Sequence, residues 1–489
     1  MRTFLGVSVL GLALAGAAAC GGGGGPGGGG GGGGGGTPGT GNPPPPPAVA
    51  RPVFVGDFAF YGSDQGLSPT VYDVSADEGG NAYVAAGDAV YVRARGEESF
   101  RRFSPDEAGL TKNCHDPSHI ANPTPPDPPA TCPIISVAGG APGVAVIGFK
   151  GVGTDYDYDA PWALDSGGAD VLAFDGASLT RTRHVFLASP PGVICEDWVP
   201  GTNNTVCRTT WIDSTWMSGR KKMRQVKRIV VNHDAARPLS YGDVYFGATH
   251  GCLGILAAHP AERGWIDSTK GDPAWADTRG VWEHEHPAKT WTDGRLLTGE
   301  ATGLALDPVT NVPWFANQFF TTSLPGYAEY PRPSWNGWWG AMSELLTFWQ
   351  PEGNPDDASL RDNVSGLSFC EDGTLWVASG NHGIGRYDPR TGAWRAIPLP
   401  PNHGNAASAI ACDPTDGSAW VGFTYGGFGR VRGNDWDPRY FVPATAPGFT
   451  QNPVRSIQID RWSTPRIVYL AHERSSRYGA GGVTVYGGP

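Results

Sequence analysis

VSGLSFCEDGTLWVASGNHGIGRYDPRTGAWRAIPL, residues Val364 to Leu399, is the stretch that decides the fold. It holds four short apolar runs separated by turn residues: Ser365 to Phe369, Leu375 to Ala378, Ile384 to Tyr387 and Trp394 to Ile397. Asp372-Gly373 supplies a tight turn with positive φ, Asn381-His382-Gly383 a loop, and Asp388-Pro389 with Thr391-Gly392 a further turn. The pattern predicts a four-stranded antiparallel meander of roughly 40 residues, too small to bury both of its faces alone. It needs neighbours like itself.

The chain supplies them. Ala409 to Trp420 repeats the first hairpin and runs on into Tyr425 to Arg430, as Gly366 to Trp376 runs into Asn381 to Arg386. Gly303 to Trp314 is the same hairpin one unit earlier, and Arg228 to Phe246, continuing to Gly254, another. Val71 to Phe103 is a compact unit, Ile134 to Val185 a heavily inserted one, and Val454 to Tyr486 the last. Seven meanders arranged radially make an all-β, seven-bladed β-propeller. Two β-sandwiches are the alternative, but a sandwich does not repeat Trp and Gly at the same offsets. The last unit supplies only three strands, so Arg51 to Tyr61 is expected to complete it from outside and close the ring.

The N-terminus reads as a signal peptide over residues 1–20. Arg2, the apolar run Phe4 to Ala15 and Ala17-Ala18-Ala19-Cys20 resemble a bacterial lipobox in which Cys20 is lipidated, although Ala17 stands where such sequences usually carry Leu. Residues 21–50, nearly pure glycine and then Pro43 to Pro47, form a linker with a reach of roughly 30 Å. The propeller occupies 51–489. The expectation is an exported monomer, lipid-anchored at the outer membrane or cell surface, with Gly21 after the cysteine favouring the outer membrane. A net charge of −11 argues against nucleic acid as a partner. One basic run, Arg220 to Arg228 (RKKMRQVKR), reads as a solvated loop entering a strand at Val226, with a local anion or headgroup patch as the sharper reading. Among the remaining cysteines, Cys114–Cys132 and Cys195–Cys207 each bracket a loop and are expected as local disulfides. Cys252, Cys370 and Cys412 are left over, and Cys370 and Cys412, at the same place in successive repeats, are expected as buried free thiols.

Glu371 to Val377 and Gly383 to Pro389, an acidic turn, Gly, Leu-Trp-Val and Gly-Ile-Gly-Arg-Tyr-Asp-Pro, resemble the two-component-regulator propeller repeat and are similar to streptogramin lyase propellers. The resemblance is strong over residues 300–489, weaker over 51–105 and poor between. Such repeats imply a fold and not a chemistry. The lyase family implies a His general base with acidic Mg²⁺ ligands at the propeller's mouth. His382, His250 or Glu283 to His286 stand where such parts would lie, but no motif matches residue by residue.

If first strands line the channel, second-to-third and blade-to-blade connections share one face. Lys150, His250, Asn317, Asn381, His382, Tyr425, His472 and Glu473 end second strands. His403, the Trp282–His286 cluster and the insertions carrying Trp338 and Trp339 fall on the same face. These are the candidate ligand-binding residues, suited to a small molecule, glycan or envelope protein. Each histidine in a Gly-rich turn has a plainer role in bonding backbone. No cofactor is implied outright. Glu283, His284, Glu285 and His286 are weak metal candidates, and so are Asp155, Asp157 and Asp159 for Mg²⁺ or Ca²⁺, without EF-hand spacing. The sequence thus reads as a binding propeller, with a metal-dependent lyase or hydrolase at the channel mouth as the alternative and a structural scaffold as a third class.

Overall fold

Gly373, at φ +81°, closes the first turn of the quoted stretch in the left-handed region that side chains disfavour. The strands around it, Val364–Phe369, Leu375–Ser379, Gly383–Asp388 and Ala393–Ile397, pair antiparallel in chain order. A computed structural model of the chain describes residues 51–119, 126–152, 166–185, 194–196, 206–208, 225–249, 253–259, 281–285, 289–290, 296–297, 299–324, 345–349, 361–400, 406–443, 452–477 and 479–487. The signal peptide with Cys20, and the linker, lie outside the described residues. Among those described, no helix is long and apolar enough to cross a membrane.

The meander recurs seven times. Blade 1 comprises Asp73–Ala76, Ala82–Ala85, Val90–Arg93 and Arg101–Phe103. Blade 2 comprises Ile134–Gly139, Val144–Phe149, Ala169–Phe174 and Leu179–Val185. Blade 3 runs Val226–Val231, Val244–Ala248, Leu253–Leu256 and Val281–Glu285. Blade 4 has Gly303–Leu306, Pro313–Ala316 and Thr321–Ser323, with Leu346 bridged to Thr321 in the fourth position. The quoted stretch is blade 5. Blade 6 follows with Ala407–Cys412, Ala419–Phe423, Gly427–Arg432 and Asp435–Pro443. Blade 7 has Val454–Asp460, Ile467–His472 and Gly482–Tyr486, and its outer strand is Phe58–Tyr61, paired with Val483 to Tyr486. The ring therefore closes as expected, with one addition: Val53–Val55 folds back as a fifth strand outside it.

Each first strand neighbours those of the blades before and after, and the first neighbours the seventh. Burial is distributed accordingly. The described apolar residues sort into seven clusters, one for each pair of adjacent blades. In six blades the same second-strand position holds a buried aromatic: Tyr83, Tyr245, Trp314, Trp376, Trp420 and Tyr469. Removing one such ring costs about 3–5 kcal/mol. Farther along the second strand the repeat demands a small residue. A Cβ on Gly148 would sit 2.7 Å from Val226 of the next blade, and one on Gly247 2.7 Å from Ala301. Backbones of successive blades pack together there.

Two sequence expectations change. Cys370 and Cys412 are not free thiols: they form a disulfide, with Cα atoms 5.3 Å apart, joining the ends of the first strands of blades 5 and 6. Glu283 to Glu285 are not in a connecting loop but in the outermost strand of blade 3, the strand farthest from the channel. Cys114–Cys132 is a disulfide as expected, Cα–Cα 5.1 Å, across the loop between blades 1 and 2. Cys195 and Cys207 face each other as backbone partners in a short hairpin.

Candidate functional site

All first strands run the same way, so the channel has a face where they begin and a face where they finish. The cavity between is about 630 Å³ and is lined by all seven of them.

At the start face the repeat has a built-in irregularity. A β-bulge interrupts the pairing of first and second strands in blades 2, 3, 5, 6 and 7, between Ile134 and Ser136, Val226 and Arg228, Val364 and Gly366, Ala407 and Ala409, and Val454 and Ser456. Bulges release backbone groups from the ladder, and the released carbonyls are satisfied from the blade before. Ser136 donates to the Val226 carbonyl at 2.6 Å, Ser365 to that of Ala407 at 2.7 Å, and Ser408 to that of Val454 at 2.6 Å. The Asp73 carboxylate accepts the Val137 N–H at 3.0 Å, and Ser456 accepts the Val74 N–H at 3.2 Å. Hydrogen bonds thus circle the channel from blade to blade.

Between blades 3 and 4, where blade 4 has no bulge, the connection is made by Arg228. Its Nε donates to the Thr302 carbonyl at 3.0 Å, and Nη2 reaches past blade 4 to the Ser365 carbonyl at 3.4 Å. Burial pushes the guanidinium's pKa down and the nearby Arg455 pushes it further, while Asp73 and Glu473 oppose. Burial likewise pushes the Asp73 carboxyl up, against Arg228 and its own hydrogen bonds. Arg455 is paired with Glu473 at 3.2 Å. The basic run therefore does enter a strand at Val226, but Arg228 lines the channel instead of a solvated loop.

The finish face is built differently. Here the turn after the first strand begins with a buried acid in four blades, Asp77, Asp307, Asp413 and Asp460. Each carboxylate accepts N–H groups of its own turn, as Asp460 does from Trp462 and Ser463. Beyond these caps the turns touch across the axis. His233 of blade 3 bonds Glu78 of blade 1 at 2.8 Å and lies edge-on to Trp462 of blade 7, ring centroids 4.8 Å apart. Tyr241 donates to the other Glu78 oxygen at 2.8 Å. Arg461 of blade 7 pairs with Glu371 of blade 5 at 3.5 Å. Contacts between blades that are not neighbours form a stopper. Burial lowers the His233 pKa against the pull of Glu78.

The sequence-predicted residues scatter among several roles. Glu473 joins Arg455. His472 is wholly buried inside blade 7, bonded to Thr484 at 2.8 Å, and burial lowers its pKa to about 4. Asn317 is buried and accepts the Phe319 and Phe320 N–H groups, a turn cap. His382 bonds the Arg361 carbonyl at 2.8 Å and stacks on Trp349, while Asn381 accepts a hydrogen bond from Asn363. Lys150 and Tyr425 are exposed. His250, His403, Trp338, Trp339, His286, Asp155, Asp157 and Asp159 lie outside the described residues, as do the positions of most start-face loops. Among the described residues no three His, Cys, Asp or Glu side chains are close enough together to hold a metal ion. Sequence reasoning missed Arg228, Arg455, Asp73 and the Glu78–His233–Trp462 stopper. Their only signal was a charged or ring-bearing residue within or just after a first strand.

No protein-family model matches this chain, and no curated protein matches it in sequence. Among solved structures it is similar to virginiamycin B lyase from Staphylococcus aureus. A catalytically inactive form solved with quinupristin gives a TM-score of 0.46 at 11% identity, over 88% of this chain and 98% of that one. The selenomethionine-substituted lyase gives 0.42 at 12% identity with the same coverage. A chain of a mitotic checkpoint complex gives 0.48 at 10% identity, over 90% and 95%. The propeller rests on the strand pairing described above.

Proposed function

We propose that this chain is an exported binding protein, lipidated at Cys20 and held off the membrane by residues 21–50, whose propeller takes a small polar ligand, such as a glycan or a short peptide, into its channel from the start face. The observation that supports the reading is the asymmetry of the channel. One face is crossed by side chains bridging distant blades, and nearer the other the charged groups Asp73, Arg228 and Arg455, the last paired with Glu473, line a cavity of about 630 Å³. A mostly pre-formed cavity with a few placed polar groups is the usual form of a small-ligand site.

Calorimetric titration of the mature protein against panels of glycans and short peptides tests this, with and without EDTA. The expected result is saturable binding that EDTA does not change and that Ile457→Trp, which fills the channel, weakens at least tenfold. Binding that survives the filled channel would sink the reading. Stoichiometric Mg²⁺ or Ca²⁺ in the purified protein, with turnover lost on chelation, would replace it by the lyase or hydrolase alternative.

A further inference from the structure

We infer that the channel contains a carboxylate-binding site at Arg228, backed by Arg455, which holds the acidic group of the channel ligand. The inference deepens the binding reading above and rests on it.

The repeat itself makes the argument. Where other blades bond the carbonyl freed by a bulge, a serine hydroxyl suffices, as at Ser136, Ser365 and Ser408. Blade 3 instead presents a cation, Arg228, which bonds the Thr302 carbonyl of the unbulged blade 4 and the bulge carbonyl of Ser365 in blade 5. The two carbonyls that Arg228 reaches, Thr302 and Ser365, orient the guanidinium but carry no charge to balance it. A guanidinium has five N–H donors, and no described residue accepts the other three. Among the described residues no carboxylate lies within ion-pairing distance of it. Asp73 is turned to the N–H groups of Val74 and Val137, and Glu473 is held by Arg455. Arg228 is only partly buried, but a guanidinium held by neutral acceptors alone keeps an unbalanced charge and free donors facing the channel, which an anion would satisfy. The free edge of the guanidinium lies in the channel wall, and the planar fork of an arginine matches a carboxylate through two parallel hydrogen bonds.

The neighbourhood also selects among anions. Asp73 and Glu473 are near enough to influence Arg228, so a dianion such as sulfate or phosphate would meet repulsion that a singly charged carboxylate largely escapes. The cavity, at about 630 Å³, has room for the body of a small organic acid, a uronic-acid sugar or a peptide C-terminus.

The test compares thermal unfolding of the mature wild-type chain and of Arg228→Gln in sodium chloride, acetate and sulfate at equal ionic strength. The glutamine can still donate to the Thr302 carbonyl, and general salt effects are common to both proteins and cancel. The expected result is that acetate raises the wild-type Tm saturably by about 2 °C more than it raises that of R228Q, with no such difference in chloride or sulfate. Equal responses of the two proteins to acetate, or a larger difference in sulfate, would overturn the proposal. If R228Q does not fold, the wild type decides alone: the Arg228 side-chain N–H resonances must move saturably with acetate, and static resonances refute the site. If neutral glycans bind and Ile457→Trp blocks them while acetate has no Arg228-dependent effect, this site fails and the binding reading stands; if no ligand binds, both fall.

Discussion

The two faces of the channel grow from the same seven repeats, yet they are held in different ways. At the finish face, turns of blades 1, 3, 5 and 7 reach over the axis and touch, through Glu78, His233, Trp462, Arg461 and Glu371. At the start face the bonds run around the rim between neighbours, hydroxyl to carbonyl, with Arg228 alone among the described residues reaching a blade beyond. Among the described residues, one face is braced across its diameter and the other along its circumference. The comparison teaches where a ring can admit a guest without losing its frame.

The largest expected effect is at the braced face. Replacing Cys370 and Cys412 together by Ser removes a crosslink closing 42 residues, which in the chain-entropy account destabilises by about 4 kcal/mol. Urea unfolding should show that loss with ligand affinity unchanged. A loss of affinity as well would mean the faces are coupled.

The next effect belongs to the start face and is read by pH. His472 is neutral when folded, with a pKa near 4, against about 6.5 when unfolded. As pH falls below about 6.5 the unfolded chain binds a proton that the folded ring refuses. Stability present above that pH is therefore lost between 6.5 and 4, by about 3 kcal/mol. His472→Gln should flatten that part of the stability profile. An unchanged slope would show that other groups carry it.

Glu78→Gln, back at the finish face, keeps the shape of the stopper but weakens two hydrogen bonds made to a carboxylate, at a cost of about 1 kcal/mol. Because Glu78 favours the protonated ring, the His233 pKa should fall still lower in this variant, which NMR titration can follow. Smallest of all, Arg461→Ala breaks a half-exposed ion pair with Glu371 and should cost a few tenths of a kcal/mol. A larger loss would mean that the crossing pair, and not the rings behind it, closes the face.

Much of the fold was legible because its signals are local. Asp372-Gly373, the repeated Leu-Trp-Val and the missing fourth strand of the last unit each constrain the chain within a few residues. The Cys370–Cys412 bond was half legible. Cysteines at one offset in successive repeats are neighbours on a ring, and the spacing that marked the repeat also placed the two sulfurs together. The site was less legible, since channel-facing side chains come from seven strands whose rotation about the axis no local pattern records. Arg228 sits in a basic run, and only the bulge beneath it turns it inward. His472 sits where a loop histidine would, one residue before the strand lets go, and burial claims it. Trp282 to Glu285 were misplaced because the sequence before them, residues 260–280, repeats none of the hairpin signals that mark the other units.

The pairing of Phe58–Tyr61 with Val483–Tyr486 has a consequence in time. The strand that completes blade 7 is made first and its partner last, so at ordinary translation rates of about 5–20 residues per second it waits tens of seconds for closure. Until then Phe58, whose ring ends packed on Trp420, Phe428 and Tyr486, has none of these partners in place. Blades can assemble on one another as they emerge, but the circle itself is a contact of the highest sequence separation and forms late. A chain cut short before Gly482 would leave an arc with two raw edges, open to pairing with another such arc.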